Sequence, residues 1–162
     1  MDTLSKFLPG VAHVHNLHPL IIHFPIAFLI GAMLLYGTCW IWPSDTRAWA
    51  GYWVLLLGFW SYYLAVLTGI LALMGVSLSA SVRQHLLLPH MNWMIVTCFL
   101  TTCLTAWAIV DKPFPRKGRW GFLLLHLVLL VAMTRGADYG SRLVYDYNAA
   151  GNAVKVPLHF SK

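Results

Sequence analysis

The chemistry open to this 162-residue chain rests on its eight histidines. His18 and His23 stand in the stretch His18-Pro19-Leu20-Ile21-Ile22-His23-Phe24-Pro25 at the mouth of a long apolar run, His90 opens another such run, and His126 lies inside a third. Imidazole is costly in hydrocarbon unless it is paired, wetted or bound to a metal, so each of these side chains needs a partner. The five acids, Asp2, Asp45, Asp111, Asp138 and Asp146, fall at ends or in turns, and no nucleophile has an evident base beside it, so no catalytic arrangement is readable. Cys39, Cys98 and Cys103 sit in apolar runs without the Cys-x-x-Cys-His pattern of c-type haem attachment and read as packing residues.

The elements that must position the histidines are membrane helices. Hydrophobic residues make up 59% of the chain and charged ones 10%, against about 25% charge in an ordinary soluble domain. Eight Trp and seven Tyr are what helices anchored at headgroup level carry. The formal charge of +6 comes from Lys and Arg lying between apolar runs and in the tail, which orients helices rather than binding nucleic acid. The segment before Val14 is too polar and too broken by Pro9 and Gly10 for a cleaved signal peptide, so the first helix is expected to direct insertion.

The pattern predicts an all-α, antiparallel four-helix membrane bundle: an arm over 1–17, a transmembrane domain over 18–145 and a tail over 146–162. Helix one is expected over Pro19–Trp42, with Pro19 in the first turn and Pro25 loosening the backbone beside His23. Ser44 to Arg47 reads as a turn, and helix two as Trp49–Met74, with Gly51, Gly58, Ala65 and Gly69 allowing close helix approach. Val76 to Pro89 reads as a loop, helix three as His90–Val110, and helix four as starting at Trp120 and continuing as an amphipathic segment to Tyr145. Both termini then share one face. Arg47, Lys112, Arg116, Lys117 and Arg119 in the opposite turns argue that those turns are cytoplasmic and the termini periplasmic, in a bacterial inner membrane.

Odd-numbered helices run the same way, so the starts of helices one and three lie at one depth, and His23 and His90 are the expected metal-binding pair. His18 is the alternative at the rim; five residues from His23, it points about 140° away on the same helix. Facing histidines in a four-helix bundle are a usual means of holding haem b. Arg135, about 24 Å along helix four, lies where a propionate would need a cation. Each residue also has a plainer role: His18 in headgroups, His23 bonded to a carbonyl freed by Pro25, His85 wet in a loop, Arg135 reaching the boundary. His126 reads as packed and hydrogen-bonded, or as ligand with Met33 to a second haem. A rival reading has His13, His15, His18 and His23 binding copper or zinc.

His18-Pro19 with His23-Phe24-Pro25-Ile26-Ala27, then Ala65-Val66-Leu67-Thr68-Gly69, then Gly140-Ser141-Arg142-Leu143-Val144-Tyr145, resemble a family of bacterial four-helix membrane proteins grouped as a domain of unknown function. The likeness runs from His18 to about Val154, and His90 matches the histidine such proteins have at the start of helix three. Ser141 stands where the family has glycine, and Asn148 to Val154 departs from the family ending. The resemblance implies the four-helix fold and haem binding; His126 belongs to no matching motif. The expected function is a b-type cytochrome-like electron carrier or redox-complex subunit, passing electrons between quinol in the membrane and a periplasmic redox partner. The alternative is a cofactor-free subunit packing against larger membrane partners. With no acid or base pathway across the interior, proton pumping is not expected.

Overall fold

The computed structural model describes residues 16–147 apart from Arg116, together with Ala149. Four helices long and apolar enough to cross a membrane follow one another: α1 (His18–Ile41), α2 (Asp45–Gly75), α3 (Ala80–Val110) and α4 (Arg119–Tyr145). They pack antiparallel as two hairpins, α1 with α2 and α3 with α4, and the hairpins join through α1 against α4 and α2 against α3.

Every polar backbone group in hydrocarbon must be satisfied within the protein, which is why the apolar runs fold as helices. Their ends carry local signals. The Ser44 hydroxyl accepts from Arg47 N at 3.4 Å, so Asp45 to Arg47 is the first turn of α2 and not the separate turn that its polarity suggests. The Arg47 guanidinium donates to the Trp42 carbonyl, fastening α1 to α2. Gly118, in the left-handed region at φ 78°, precedes α4, where a side chain would be strained.

Two proline effects shape the other end. α1 is interrupted at Ile22, between His18–Ile21 and His23–Ile41, because Pro25 cannot donate to the Ile21 carbonyl; this is the loosening expected beside His23. In α3 the helix begins at Ala80 under a Ser79 cap, nine residues before Pro89, and the expected loop over Val76–Pro89 shrinks to Val76–Ser79. A π-helical turn, Arg83–Leu87, precedes the regular helix from Leu88, whose N–H reaches back five residues to Arg83 O. Such a wide turn accommodates Pro89, which offers no N–H and whose ring crowds the preceding carbonyls. Pro89 therefore does not start its helix as Pro19 does.

The core runs along the hairpin interface. Leu29, Ala32 and Tyr36 of α1, Leu55 of α2, Leu104 and Ala108 of α3 and Phe122 and Leu129 of α4 are fully buried. Tyr36 stacks on Phe114 with ring centres 4.9 Å apart, meets Phe122 edge-on at 5.0 Å, and donates to Pro113 O at 3.1 Å. A smaller cluster of Leu86, Leu87 and Leu143 joins the π turn to the last turns of α4. Outward faces carry Leu34, Leu57, Trp60, Phe99 and Leu124, an apolar surface suited to lipid.

At Gly58 α2 packs tightly on α1: a Cβ there would lie 2.8 Å from Leu29 Cδ2 and 3.1 Å from its Cγ. Gly58→Val should destabilise the bundle by about 1–3 kcal/mol, whereas Gly37→Ala, with nothing within 4 Å, should be neutral or stabilising. Melting temperatures of the two variants in detergent check the ranking.

Candidate functional site

The site is built from two imidazoles at the terminal end of the bundle, one from each hairpin. The His18 N–H is taken by Asn16 Oδ1 at 2.9 Å, which steadies the start of α1. Its ring reaches across to α2, where Nδ1 lies 3.0 Å from Ala65 O and 3.3 Å from Thr68 Oγ1. The His90 ring reaches across to α4, where Nδ1 lies 2.7 Å from Gly136 O. A carbonyl only accepts, so in each neutral ring Nδ1 carries the proton and Nε2 keeps its lone pair. That is the arrangement in which a backbone carbonyl orients a metal-binding histidine.

Glycine makes room for each ring one helical turn beyond the carbonyl that holds it. A Cβ on Gly69, four residues after Ala65, would sit 3.1 Å from His18 Cε1; one on Gly140, four residues after Gly136, would sit 2.9 Å from His90 Cε1. The intervals correspond as well. His18 is 47 residues before its carbonyl and His90 is 46 before its own. The two hairpins thus present their histidines in equivalent ways.

The rings meet edge-to-face across the hairpin boundary with centres 6.4 Å apart and planes at 77°. Among the described residues no group of three or more His, Cys, Asp or Glu side chains is placed to hold a metal ion. Among the described residues two imidazoles meet here, fewer side chains than the four of a structural zinc site.

The remaining site residues expected from sequence fall elsewhere. His23 is exposed on the outer surface of α1, its Nδ1 3.3 Å from Leu20 O, and it is His18 that meets His90. Arg135 is exposed, its guanidinium 5.8 Å from the centre of the Tyr139 ring. His85 is exposed in the π turn, and Arg142 pairs with Asp146 at 3.5 Å. His13, His15 and His159 lie outside the described residues.

His126 is fully buried near the middle of the bundle, with Nε2 3.0 Å from Leu29 O and its ring edge-on to Phe122 at 6.3 Å. Among the described residues its Nδ1 has no hydrogen-bond partner, nor does the buried Thr105 hydroxyl. Sequence reading did not find the acceptor helices. The signal was available in the paired small residues Ala65 and Gly69 and Gly136 and Gly140, each pair one helical turn apart.

Four apolar spans joined by short turns, with two histidines held between the hairpins at one end, define a multi-pass helical membrane protein. The chain belongs to the family described as predicted membrane protein (DUF2231), which matches residues 14–152 and whose function is unknown. No curated protein and no solved structure gives a significant match.

Imidazole nitrogen NMR at alkaline pH should show His18 and His90 protonated on Nδ1 and His126 protonated on Nε2. Gly140→Val should perturb the His90 signals and leave those of His18 in place. His126→Leu removes the bond to Leu29 and the unpartnered nitrogen together, so stability should change by no more than about 1 kcal/mol; a larger loss in thermal unfolding would reveal a partner on Nδ1.

Proposed function

We propose that this chain is a b-type cytochrome-like electron carrier, alone or as a subunit of a larger membrane complex, with haem b held between His18 and His90. The observation that carries the reading is the pair itself: two imidazoles from different hairpins, each donating from Nδ1 to a backbone carbonyl, with ring centres 6.4 Å apart, which would hold the haem iron between them. The donor set fits the group in three respects. Among the described residues it offers two imidazole nitrogens, it leaves both Nε2 lone pairs uncommitted to those carbonyls, and it is equivalent on its two sides, as suits a flat ligand with two similar faces.

Bound haem would supply one-electron chemistry. The chain's own contribution is orientation: Ala65 O and Gly136 O hold the partly buried rings, and Gly69 and Gly140 admit them. Arg135 adjoins Gly136 and serves in this proposal as the propionate partner, swinging away from Tyr139. His23 is not a ligand in this reading. In this reading the basic turns on the opposite end are cytoplasmic and the histidine pair would lie toward the periplasmic side, where quinol in the membrane and a periplasmic redox protein would be the electron partners. A second haem at His126 is not part of the proposal, since that ring is committed to Leu29 O within a packed core.

The test is the reduced-minus-oxidised spectrum of protein purified from haem-replete cells. A low-spin b-type spectrum is expected, lost in His18→Ala and in His90→Ala and retained in His23→Ala. A colourless wild-type protein would overturn the cytochrome reading and leave the cofactor-free subunit. Loss in His23→Ala with retention in His18→Ala would overturn the ligand pair.

A further inference from the structure

At the opposite end of the bundle, the turn from α3 to α4 borders an open hollow of about 400 Å³ lined by Val110, Asp111, Lys112, Phe114 and Lys117. That volume lies within the about 300–1,000 Å³ typical of small-molecule sites. We propose that it binds one anionic phospholipid, with the phosphate between the Lys112 and Lys117 ammonium groups and the glycerol and upper acyl chain against Val110 and Phe114. The proposal is independent of the histidine pair.

Position argues first. Val110 is the last residue of α3, so the hollow opens where the span leaves the hydrocarbon. Trp40 and Trp120, with ring centres 4.4 Å apart, lie at the same end of the bundle, and paired indoles mark headgroup level. Charge argues second. The one carboxylate in the lining, Asp111, accepts from Trp107 Nε1 at 3.1 Å and so is engaged by its own helix. Among the described residues neither lysine forms an ion pair, and Arg119 adds a further cation at the start of α4. Composition argues third. A free phosphate needs only the cations, whereas an apolar wall beside two ammoniums suits an amphiphile whose phosphate adjoins hydrocarbon.

The test titrates purified protein in detergent with phosphatidylglycerol or phosphatidylcholine and counts bound lipid by native mass spectrometry. Preference for phosphatidylglycerol is expected, and Lys112→Gln with Lys117→Gln should weaken its binding by up to about thirty-fold, from about one lysine-sized electrostatic increment each. Arg83→Gln, at the other end, should leave the preference intact. Lys117→Gln alone, with an unchanged melting temperature, serves if the double variant folds poorly and should give an intermediate loss. Equal binding of the two lipids, an equal loss in Arg83→Gln, or displacement of bound phosphatidylglycerol by millimolar inorganic phosphate would each overturn the proposal.

Discussion

An imidazole inside a lipid-facing bundle must give its N–H to something, and here it gives it to a carbonyl on the neighbouring helix. A helical carbonyl already accepts one bond along its own helix but has a second lone pair, and His18 and His90 use that capacity at Ala65 and Gly136. The contact works only if the two helices approach closely at that level. Gly69 and Gly140 answer that need, since a Cβ at either would crowd the ring. The pairing of α1 with α2 and of α3 with α4 is thus written into the same few residues that orient the imidazoles.

The consequence is a boundary between hairpins with equivalent chemistry on its two sides. α1 and α2 are tied to each other by His18, and α3 and α4 by His90, so the rings meet without either being spent on joining the hairpins. What joins the hairpins lies deeper: the aromatic group of Tyr36, Phe114 and Phe122, the Tyr62 hydroxyl on Met94 O at 2.6 Å, and His126 on Leu29 O. The two ends of the bundle therefore do different work. One holds a symmetric pair of donors, and the other is closed by rings and edged with cations at the α3–α4 turn.

Much of this was legible in residue types. Four spans follow from apolar runs of membrane length, and the need of His18, His23 and His90 for partners follows from the price of imidazole in hydrocarbon. Which histidine of α1 turns inward was not legible from depth alone. The buried positions of α1, Pro25, Leu29, Ala32, Tyr36 and Cys39, form a stripe at helical spacing, and His18 lies seven residues before Pro25 on its extension, while His23 falls off it. Because α1 is apolar all round, hydropathy marks no face, and only the small residues of the partner helix point to one. The start of α3 was missed for a related reason. Ser81, Arg83, Gln84 and His85 look like a loop, yet they are exposed residues of a capped helix widened into a π turn before Pro89.

The amino-acid sequence by itself determined that this chain forms apolar helices in a membrane, how many they are, where polar and proline residues disturb them, and that its histidines stand at one end and in the middle. Those properties are local, set by transfer of side chains and backbone into lipid and by the geometry of proline. Only the tertiary structure decided that His18 rather than His23 meets His90, that Ala65 and Gly136 hold the rings, and that Lys112 and Lys117 line one hollow with Val110 and Phe114. Those outcomes depend on the rotation of each helix about its axis, and rotation is settled by where a glycine lets a neighbour approach.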